Sequence, residues 1–376
     1  MKYIQVTDLR LSAPSRWSCS MRRHGSRLLK YGLLWTSLLG LMACGNSDLN
    51  RNSPDVDNSP CRIVKHDLDQ VEVCGQPKTI VVLSSHMLDL LLALGEQPDA
   101  LAGPIGLVKE DVFQNPAQQI PYLGAQVTTQ PVNLGSGQAP SMEKITALKP
   151  DLILAEAGRN ADSYQLFSKI APTLLWKDRT AKRKWQTTLK GLAKALGKEE
   201  KIQPVIAAYN QEIDQTKKQL APIAAQYPKV LILGSNDLNS NMNIIPPDSY
   251  LGDLFEQLGF QVMTLPDTKG PFVNVPISIE ALPQLNEADI IIVLGYNLDA
   301  KERPNLKQGS IDKAIESHQS QSIRKSWEEN AIAQSLTASK EDRVYFATYY
   351  KWNGLNGPTG AKLILEQLRQ FLLKDA

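Results

Sequence analysis

The sequence predicts an α/β fold with two lobes, each built around a central sheet and joined by a single long backbone helix. Strands and helices alternate regularly from residue 79 onward, a pattern typical of α/β chains. The spacing of Ser, Asp and Gly over residues 85–95 recurs over residues 249–259, which indicates two halves of related plan. The alternative is that residues typical of the turn between a strand and a helix recur by chance, as they can in any α/β protein. With 376 residues the chain is long enough for two sizeable cores.

The N-terminal region has the pattern of a secretory signal. A basic stretch at residues 21–27 precedes an apolar run at residues 31–41, which is short for a membrane span. The run ends in Leu41-Met42-Ala43-Cys44, which resembles a bacterial lipobox, in which the cysteine sulfur is lipidated and the chain is cut before it. We therefore expect residues 1–43 to be a lipoprotein signal peptide, starting at Met1 or Met21, and Cys44 to be the lipidated residue on the extracytoplasmic face of a bacterial membrane. Ordinary signal cleavage, with Cys44 incidental, is the alternative.

Removal of this segment changes the net charge. Residues 1–43 carry seven of the 41 Lys and Arg residues and one of the 39 Asp and Glu residues. The remainder has 34 basic and 38 acidic residues, a net charge of −4 instead of +2. The predicted mature chain therefore lacks the overall positive field of a nucleic-acid-binding protein.

Residues 44–60 are polar and are predicted to be a flexible tether between the anchor and the fold. The chain then forms a short predicted hairpin that carries Cys61 and Cys74. In an oxidising compartment this even pair is expected to form a disulfide, and two free buried thiols are the alternative. Two cysteines without a nearby histidine do not make a zinc site.

The predicted elements follow in order along the N-terminal lobe, residues 61–200, and the C-terminal lobe, residues 228–376. In the first lobe a strand at 79–83 precedes a helix at 87–94, and two strands follow at 151–155 and 173–176, the former after a helix at 142–148. Residues 201–227 are the predicted inter-lobe backbone helix, with the helical spacing running over residues 202–226. About 24 helical residues would span about 36 Å, and a long helix resists large hinge bending. In the second lobe the strands lie at 229–233, 289–294 and 344–347, and helices lie at 250–258, from 279 and at 359–372.

Several stretches resemble the siderophore-binding lipoproteins of bacterial ABC importers. They are residues 77–84, residues 89–95, the pattern Ser-x-Glu-x-Ile-x-Ala-Leu-Lys-Pro-Asp-Leu-Ile over residues 141–153, and Ile-Ala-Pro-Thr over residues 170–173. The resemblance covers nearly the whole chain from Cys61 onward. It implies two α/β lobes joined by one helix, with the ligand in the cleft between them. It also implies an iron(III)–siderophore ligand of the citrate, hydroxamate or catecholate type, no cofactor, no enzymatic activity and a monomer that delivers its ligand to an importer permease dimer with a cytoplasmic ATPase.

The candidate ligand-binding residues lie where strands end, because α/β sheets bind ligands at the carboxyl ends of their strands. They are Ser84, Ser85, His86, Arg159, Asn236, Tyr250, Tyr296, Tyr349, Tyr350 and Trp352. A ferric siderophore is a compact and often anionic chelate that needs cations and aromatic faces rather than metal ligands. A guanidinium such as Arg159 can donate two hydrogen bonds to its oxygens. The alternatives are a surface ion pair for Arg159, core positions for the aromatic residues and a structural role for His86.

Glu143 and Glu280 occupy matching places, each two residues after a serine that can cap a helix. An acid there stabilises the positive end of a helix. The resemblance implies a further role, in which each lobe presents one glutamate to arginines of the importer. Two carboxylates on separate lobes would fix the orientation of docking.

The same sequence bears on other classes of function. No nucleophile elbow, P-loop, zinc-protease motif or dinucleotide fingerprint is present in the sequence, which argues against an enzyme. A zinc or manganese site would need several histidines, and the chain has 4. Tyr349 and Tyr350 are adjacent, and in an extended segment they would face opposite ways, which argues against paired tyrosine ligands for bare ferric iron. Heme, vitamin B12 and bare ferric iron stay open as related ligands, as does a lipid-anchored scaffold without a ligand.

Overall fold

The computed structural model describes residues 60–103, 108–238, 241–265, 274–296 and 311–373. The predicted signal peptide, the lipidation site Cys44 and nearly all of the predicted tether lie outside these residues. Within them, no helix combines the length and the apolar character that a membrane crossing requires.

The described chain opens with an antiparallel hairpin of strands β1 (Cys61–Lys65) and β2 (Gln70–Cys74). The side chains of Val64 and Val73 lie on one face of the hairpin and pack in the core, and each residue is 1% exposed. A disulfide joins Cys61 to Cys74 at the open end of the hairpin, which confirms the predicted pairing. The alternative of two free thiols was wrong.

A six-stranded sheet forms the first lobe. Its strands are β3 (Ile80–Val82), β4 (Ala100–Gly103), β5 (Val132–Ser136), β6 (Ala139–Pro140), β7 (Leu152–Glu156) and β8 (Thr173–Trp176). Their order is β6-β5-β4-β3-β7-β8, and every pair except β5–β6 is parallel. The carboxyl ends of β3 and β7 therefore lie side by side at one edge of the sheet.

The helices of this lobe are α1 (Ser85–Ala93), α2 (Pro116–Gln119), α3 (Met142–Leu148), α4 (Ala157–Asn160), α5 (Tyr164–Phe167) and α6 (Lys184–Leu196). Helix α1 begins two residues earlier than predicted because the Ser84 hydroxyl caps it by accepting a hydrogen bond from the Met87 N–H. It ends as predicted before Gly95, whose φ of 81° favours glycine.

The backbone helix α7 (Ile202–Gln226) covers the residues over which the helical spacing was predicted, and it is 25 residues long. Its buried face is formed by Tyr209, Ile213, Thr216, Leu220 and Ala224, which recur at the spacing of an amphipathic helix. At 1.5 Å per residue the helix is about 37 Å long, enough to run along both lobes.

The second lobe contains another six-stranded sheet. Its strands are β9 (Lys229–Asp237), β10 (Asn241–Ile244), β11 (Gln261–Val262), β12 (Val275–Ile277), β13 (Ile290–Gly295) and β14 (Val344–Thr348). The parallel set β11-β9-β13-β14 matches the set β4-β3-β7-β8 of the first lobe in order and direction. The related plan of the two halves is thus visible in their strand order.

The helices of the second lobe are α8 (Tyr250–Leu258), α9 (Ile311–Glu328), α10 (Ala331–Ser335), α11 (Thr337–Lys340), α12 (Tyr349–Gly354) and α13 (Pro358–Leu372). Two expectations were wrong in detail. The segment after residue 279 is a 3-10 helix, Ile279–Leu285, and Pro283 lies inside it. The expected extended segment and loop after β14 is helix α12, because the Thr348 hydroxyl accepts a hydrogen bond from the Lys351 N–H and caps a helical turn.

The apolar core continues from one lobe to the other. One buried cluster includes Leu91 of α1, Leu220 of α7, Leu254 of α8 and Leu365 of α13. Helix α13 packs on both α1 and α7, so the C-terminal end of the chain returns to the first lobe. The buried carboxylate of Asp89 on α1 accepts hydrogen bonds from the first N–H groups of α13.

Candidate functional site

A cavity of about 180 Å³ lies between the two lobes at the carboxyl ends of their strands. We call it the interlobe cavity. The first lobe contributes Leu83, Ser84, Ser85, Gly137, Glu156, Arg159 and Arg179. The second lobe contributes Tyr296, Gln319, Tyr349, Tyr350 and Gly354.

Strand ends position most of these side chains. Glu156 is the last residue of β7, and Tyr296 and Tyr349 come directly after β13 and β14. Gly137 allows a close backbone approach, because a Cβ atom there would lie 2.7 Å from the Leu83 carbonyl oxygen. The cavity therefore lies where the topology of two parallel sheets predicts a binding site.

The charges of the cavity come from the first lobe. Glu156 is 5% exposed and accepts a hydrogen bond of 2.8 Å from the Ser84 hydroxyl. Its Oε2 lies 3.3 Å from Nε of Arg179 and 3.8 Å from Nε of Arg159. One carboxylate therefore lies between two guanidinium groups, which leaves one net positive charge on the described wall.

The two arginines differ in how they are held. Nη1 of Arg179 donates to the carbonyl oxygens of Asn353 at 2.7 Å and Gly354 at 3.2 Å, and also to the side chain of Asn356. Arg179 thus ties the first lobe to helix α12 of the second. Arg159 keeps 31% of its side chain exposed, against 20% for Arg179, so it is the cation more accessible to a ligand.

Tyrosines from the second lobe form the opposite wall. The rings of Tyr296 and Tyr349 meet edge to face with centroids 5.3 Å apart. The hydroxyl of Tyr350 hydrogen-bonds that of Ser85 across the lobes at 2.5 Å, and its ring stacks on Tyr122 of the first lobe. Burial raises the pKa of both Tyr350 and Tyr296, so these side chains are neutral phenols at physiological pH.

A second cavity, of about 270 Å³, lies on the other side of the tyrosine pair. Tyr296 and Tyr349 form the wall that the two cavities share. The other lining residues are Gly234, Asn243, Ile245 and Asn274, all from the second lobe. Movement of the tyrosine pair would join the two spaces into one larger site.

Six of the ten predicted ligand-binding residues line the interlobe cavity. They are Ser84, Ser85, Arg159, Tyr296, Tyr349 and Tyr350. Whether they contact a ligand stays a prediction, but the structure brings them together from four strand ends.

The other four predicted residues lie elsewhere. Trp352 is 0% exposed and packs against Phe255 and Phe371, because helix α12 turns its side chain into the core. Tyr250 is 2% exposed and donates its hydroxyl hydrogen to the Gly357 carbonyl oxygen at 2.9 Å. His86 is buried within α1. Asn236 lines a separate polar cavity beside α9.

Sequence reasoning missed three polar residues of the cavity, Glu156, Arg179 and Gln319. Glu156 directly follows the predicted strand 151–155 and ends the observed strand β7, and Arg179 follows β8 by three residues, so the same strand-end rule could have found both. Gln319 lies in the middle of α9, and nothing in its local sequence marks it.

The two candidate docking residues are exposed. Glu143 lies in the first turn of α3, which the Ser141 hydroxyl caps. Glu280 lies in the first turn of the 3-10 helix Ile279–Leu285, after Ser278. Hydrogen bonds from its own backbone N–H and from Ser278 lower the pKa of Glu280. Both residues therefore occupy helix starts, where an acid is favourable in any case.

Among the described residues, metal-ligating side chains converge at one place, on the N-terminal hairpin. The sulfur and carboxylate atoms of Cys61, Glu72 and Cys74 lie within 4.8 Å of one another. Because the two sulfurs are joined in a disulfide, they cannot act as thiolate ligands.

His86 gives a pH-dependent prediction. Burial lowers its pKa to about 4, and its Nδ1–H donates to the Leu355 carbonyl oxygen at 2.8 Å. Between pH 6.5 and about pH 4, His86 is protonated in the unfolded chain but neutral in the folded protein. The free energy of unfolding should therefore fall as the pH falls from 6.5 to 4, by up to about 3 kcal/mol.

His86→Gln should remove this part of the pH dependence, as measured by urea unfolding between pH 4.5 and 7. Burial raises the pKa of Asp89 to about 6 and produces an opposite slope over a similar range. The variant retains Asp89, so the difference between the two proteins isolates His86. Parallel pH profiles for both proteins would contradict the prediction.

The fold and this site define a two-lobed α/β binding protein. A family model described as periplasmic binding protein matches residues 80–349, and the chain belongs to this family. The match spans both sheets and the backbone helix.

Individual relatives agree with that assignment. The chain is 26% identical to the Fe(3+)-citrate-binding protein YfmC of Bacillus subtilis, with 93% of this chain and 99% of YfmC covered. It is also 26% identical to the Fe(3+) dicitrate-binding periplasmic protein FecB of Escherichia coli, with 77% and 82% covered. Staphylococcus aureus SirA, solved with staphyloferrin B, has the same fold, with a TM-score of 0.65, 24% identity and coverage of 83% of this chain and 98% of SirA.

Proposed function

We propose that this protein is an extracytoplasmic substrate-binding protein that captures a ferric siderophore and delivers it to an ABC importer. The observation that carries the proposal is the interlobe cavity, which sets Arg159 and Arg179 opposite a wall of tyrosines. This arrangement suits an anionic chelate whose iron is already coordinated, because guanidinium groups bind its oxygens and tyrosine rings pack on its organic edges. The names of the relatives, which refer to ferric citrate, support the same class of ligand.

The size of the cavity supports a site that opens to admit its ligand. Its 180 Å³ is below the roughly 300–1,000 Å³ of typical small-molecule sites. Separation of the lobes, or movement of Tyr296 and Tyr349 to join the second cavity, would supply the missing space. A backbone helix restricts such motion to modest rearrangements rather than wide closure.

The proposed role is binding and delivery without catalysis and without a resident cofactor, and iron enters as part of the ligand. The proposed partner is a permease dimer with its cytoplasmic ATPase, and the protein acts as a monomer without binding nucleic acid. Exposed Glu143 and Glu280, one on each lobe, are the proposed docking contacts.

Lipid anchoring at Cys44 is part of the proposal and carries its own prediction. The lipobox at residues 41–44 motivates it. Cys44→Ala should release soluble protein or leave an uncleaved precursor, as measured by membrane fractionation and mass spectrometry of the N-terminus. Unchanged anchoring in the variant would overturn this part.

The direct test is native mass spectrometry of the purified protein against ferric citrate, a ferric trishydroxamate and a ferric triscatecholate. Binding of at least one of them with a Kd below about 1 μM, equivalent to about 8 kcal/mol, is the expected result. Binding of heme, vitamin B12 or bare ferric iron in preference to all three would replace the ligand class. If none of these compounds binds, the result would favour the alternative of a lipid-anchored scaffold without a ligand.

A further inference from the structure

Glu156 is a buried acid in a site proposed to take an anionic ligand, and the proposed function does not use it. Its side chain is 6% exposed, and its oxygens face the Ser84 hydroxyl and the two arginines. Burial of a carboxylate is costly and is offset here by these partners. A cavity built only to attract anions would be more effective with a neutral side chain at this position.

An orienting role accounts for only part of this arrangement. Arg179 already donates to two backbone carbonyl oxygens and one amide oxygen of the segment 353–356, so its position does not depend on the carboxylate. The Ser84 oxygen also caps α1 by accepting from the Met87 N–H. What Glu156 adds at the cavity surface is a negative charge close to both cations.

We propose that Glu156 sets the net charge of the ligand that the interlobe cavity prefers. The charged side chains that line the described cavity are Arg159, Arg179 and Glu156, and their net charge is +1. Without Glu156 the net charge would be +2. The carboxylate therefore penalises each additional negative charge on the ligand and favours chelates of low charge. This inference rests on the proposed function, because it concerns selection among ferric chelates.

The test compares the affinities of two ferric chelates that differ in charge, a neutral trishydroxamate and a trianionic triscatecholate. Each is titrated by intrinsic fluorescence against the wild-type protein, Glu156→Gln and Glu156→Asp. Glu156→Gln should shift the ratio of affinities toward the trianion by about tenfold or more, because the variant removes a negative charge next to the ligand. Glu156→Asp keeps the charge and should leave the ratio within about twofold of wild type.

Glu287→Gln serves as the matched control, since Glu287 pairs with Lys229 on the exposed surface away from the cavity. Arg159→Gln supplies a second route if Glu156→Gln does not fold, and it should shift the ratio in the opposite direction. An unchanged ratio in the folded Glu156→Gln or Arg159→Gln protein would overturn the inference, as would an equal shift in Glu156→Asp. Failure of wild type to bind either chelate would instead count against the proposed function.

Discussion

Replacement of Arg159 by alanine should weaken binding of the ferric siderophore by about 10- to 150-fold, or about 1.5–3 kcal/mol. Arg159 is the more exposed cation of the interlobe cavity, and its loss removes a charge-assisted contact that water does not replace in a closed site. Fluorescence titration of wild type and variant with the chelate identified by the panel measures the change. Protein stability should change little, because the ion pair of Arg159 with Glu156 is long, at 3.8 Å, and Arg159 is 31% exposed.

Two control variants sharpen this measurement. Arg324→Ala removes an arginine that covers the ring of Phe346 and is not among the residues lining the interlobe cavity, and it should leave the affinity unchanged. Arg159→Lys keeps the positive charge but loses the planar guanidinium group that can donate two parallel hydrogen bonds, so it should give an intermediate affinity. Equal affinities of wild type and Arg159→Ala would remove Arg159 from the binding site.

Loss of Glu143 and Glu280 together should abolish iron uptake while leaving siderophore affinity nearly intact. Both carboxylates are exposed, and neither lines the interlobe cavity. If they contact arginines of the importer, their removal takes away both orientation and charge complementarity. Uptake of labelled iron by cells that carry the double alanine variant measures delivery, and titration of the purified variant measures binding.

A matched control comes from Glu199 and Glu200, which are likewise exposed acids at a helix start, in the first turn of the 3-10 helix Glu199–Lys201. Their replacement by alanine removes the same charge and the same kind of helix interaction, and uptake should stay normal. The single variants Glu143→Ala and Glu280→Ala should lie between wild type and the double variant, with lysine replacements worse than alanine. Normal uptake by a well-folded double variant would mean that the two glutamates only stabilise helix starts.

The elements predicted most accurately are those whose signals are local. The helices α3, α7 and α8 begin and end at the predicted residues, because a capping serine, an apolar spacing or a following glycine marks their ends. The repeated Ser-Asp-Gly spacing is less exact. Ser249 caps α8, but it is Ser84 rather than Ser85 that caps α1, so the two motifs are offset by one residue. The relationship of the halves is carried by strand order, which no short motif encodes.

The cavity was only partly predictable because its walls depend on distant contacts. Arg179 reaches the cavity through hydrogen bonds to residues about 175 positions later in the chain, and its local sequence shows no sign of them. Trp352 was predicted to lie in the site because it follows the end of a predicted strand. A short helix starts there instead, and which of its side chains face the core is decided by packing against Phe255 and Phe371.

The continuous core across the two lobes has a consequence for how the protein unfolds. Leu91, Leu220, Leu254 and Leu365 belong to one buried cluster although they come from four helices spread along the chain. Neither lobe can lose its structure without exposing apolar surface of the other, so heat or denaturant should melt both in a single cooperative transition. A ligand bound at the cleft then raises the midpoint of the whole molecule, and one melting curve reports its occupancy.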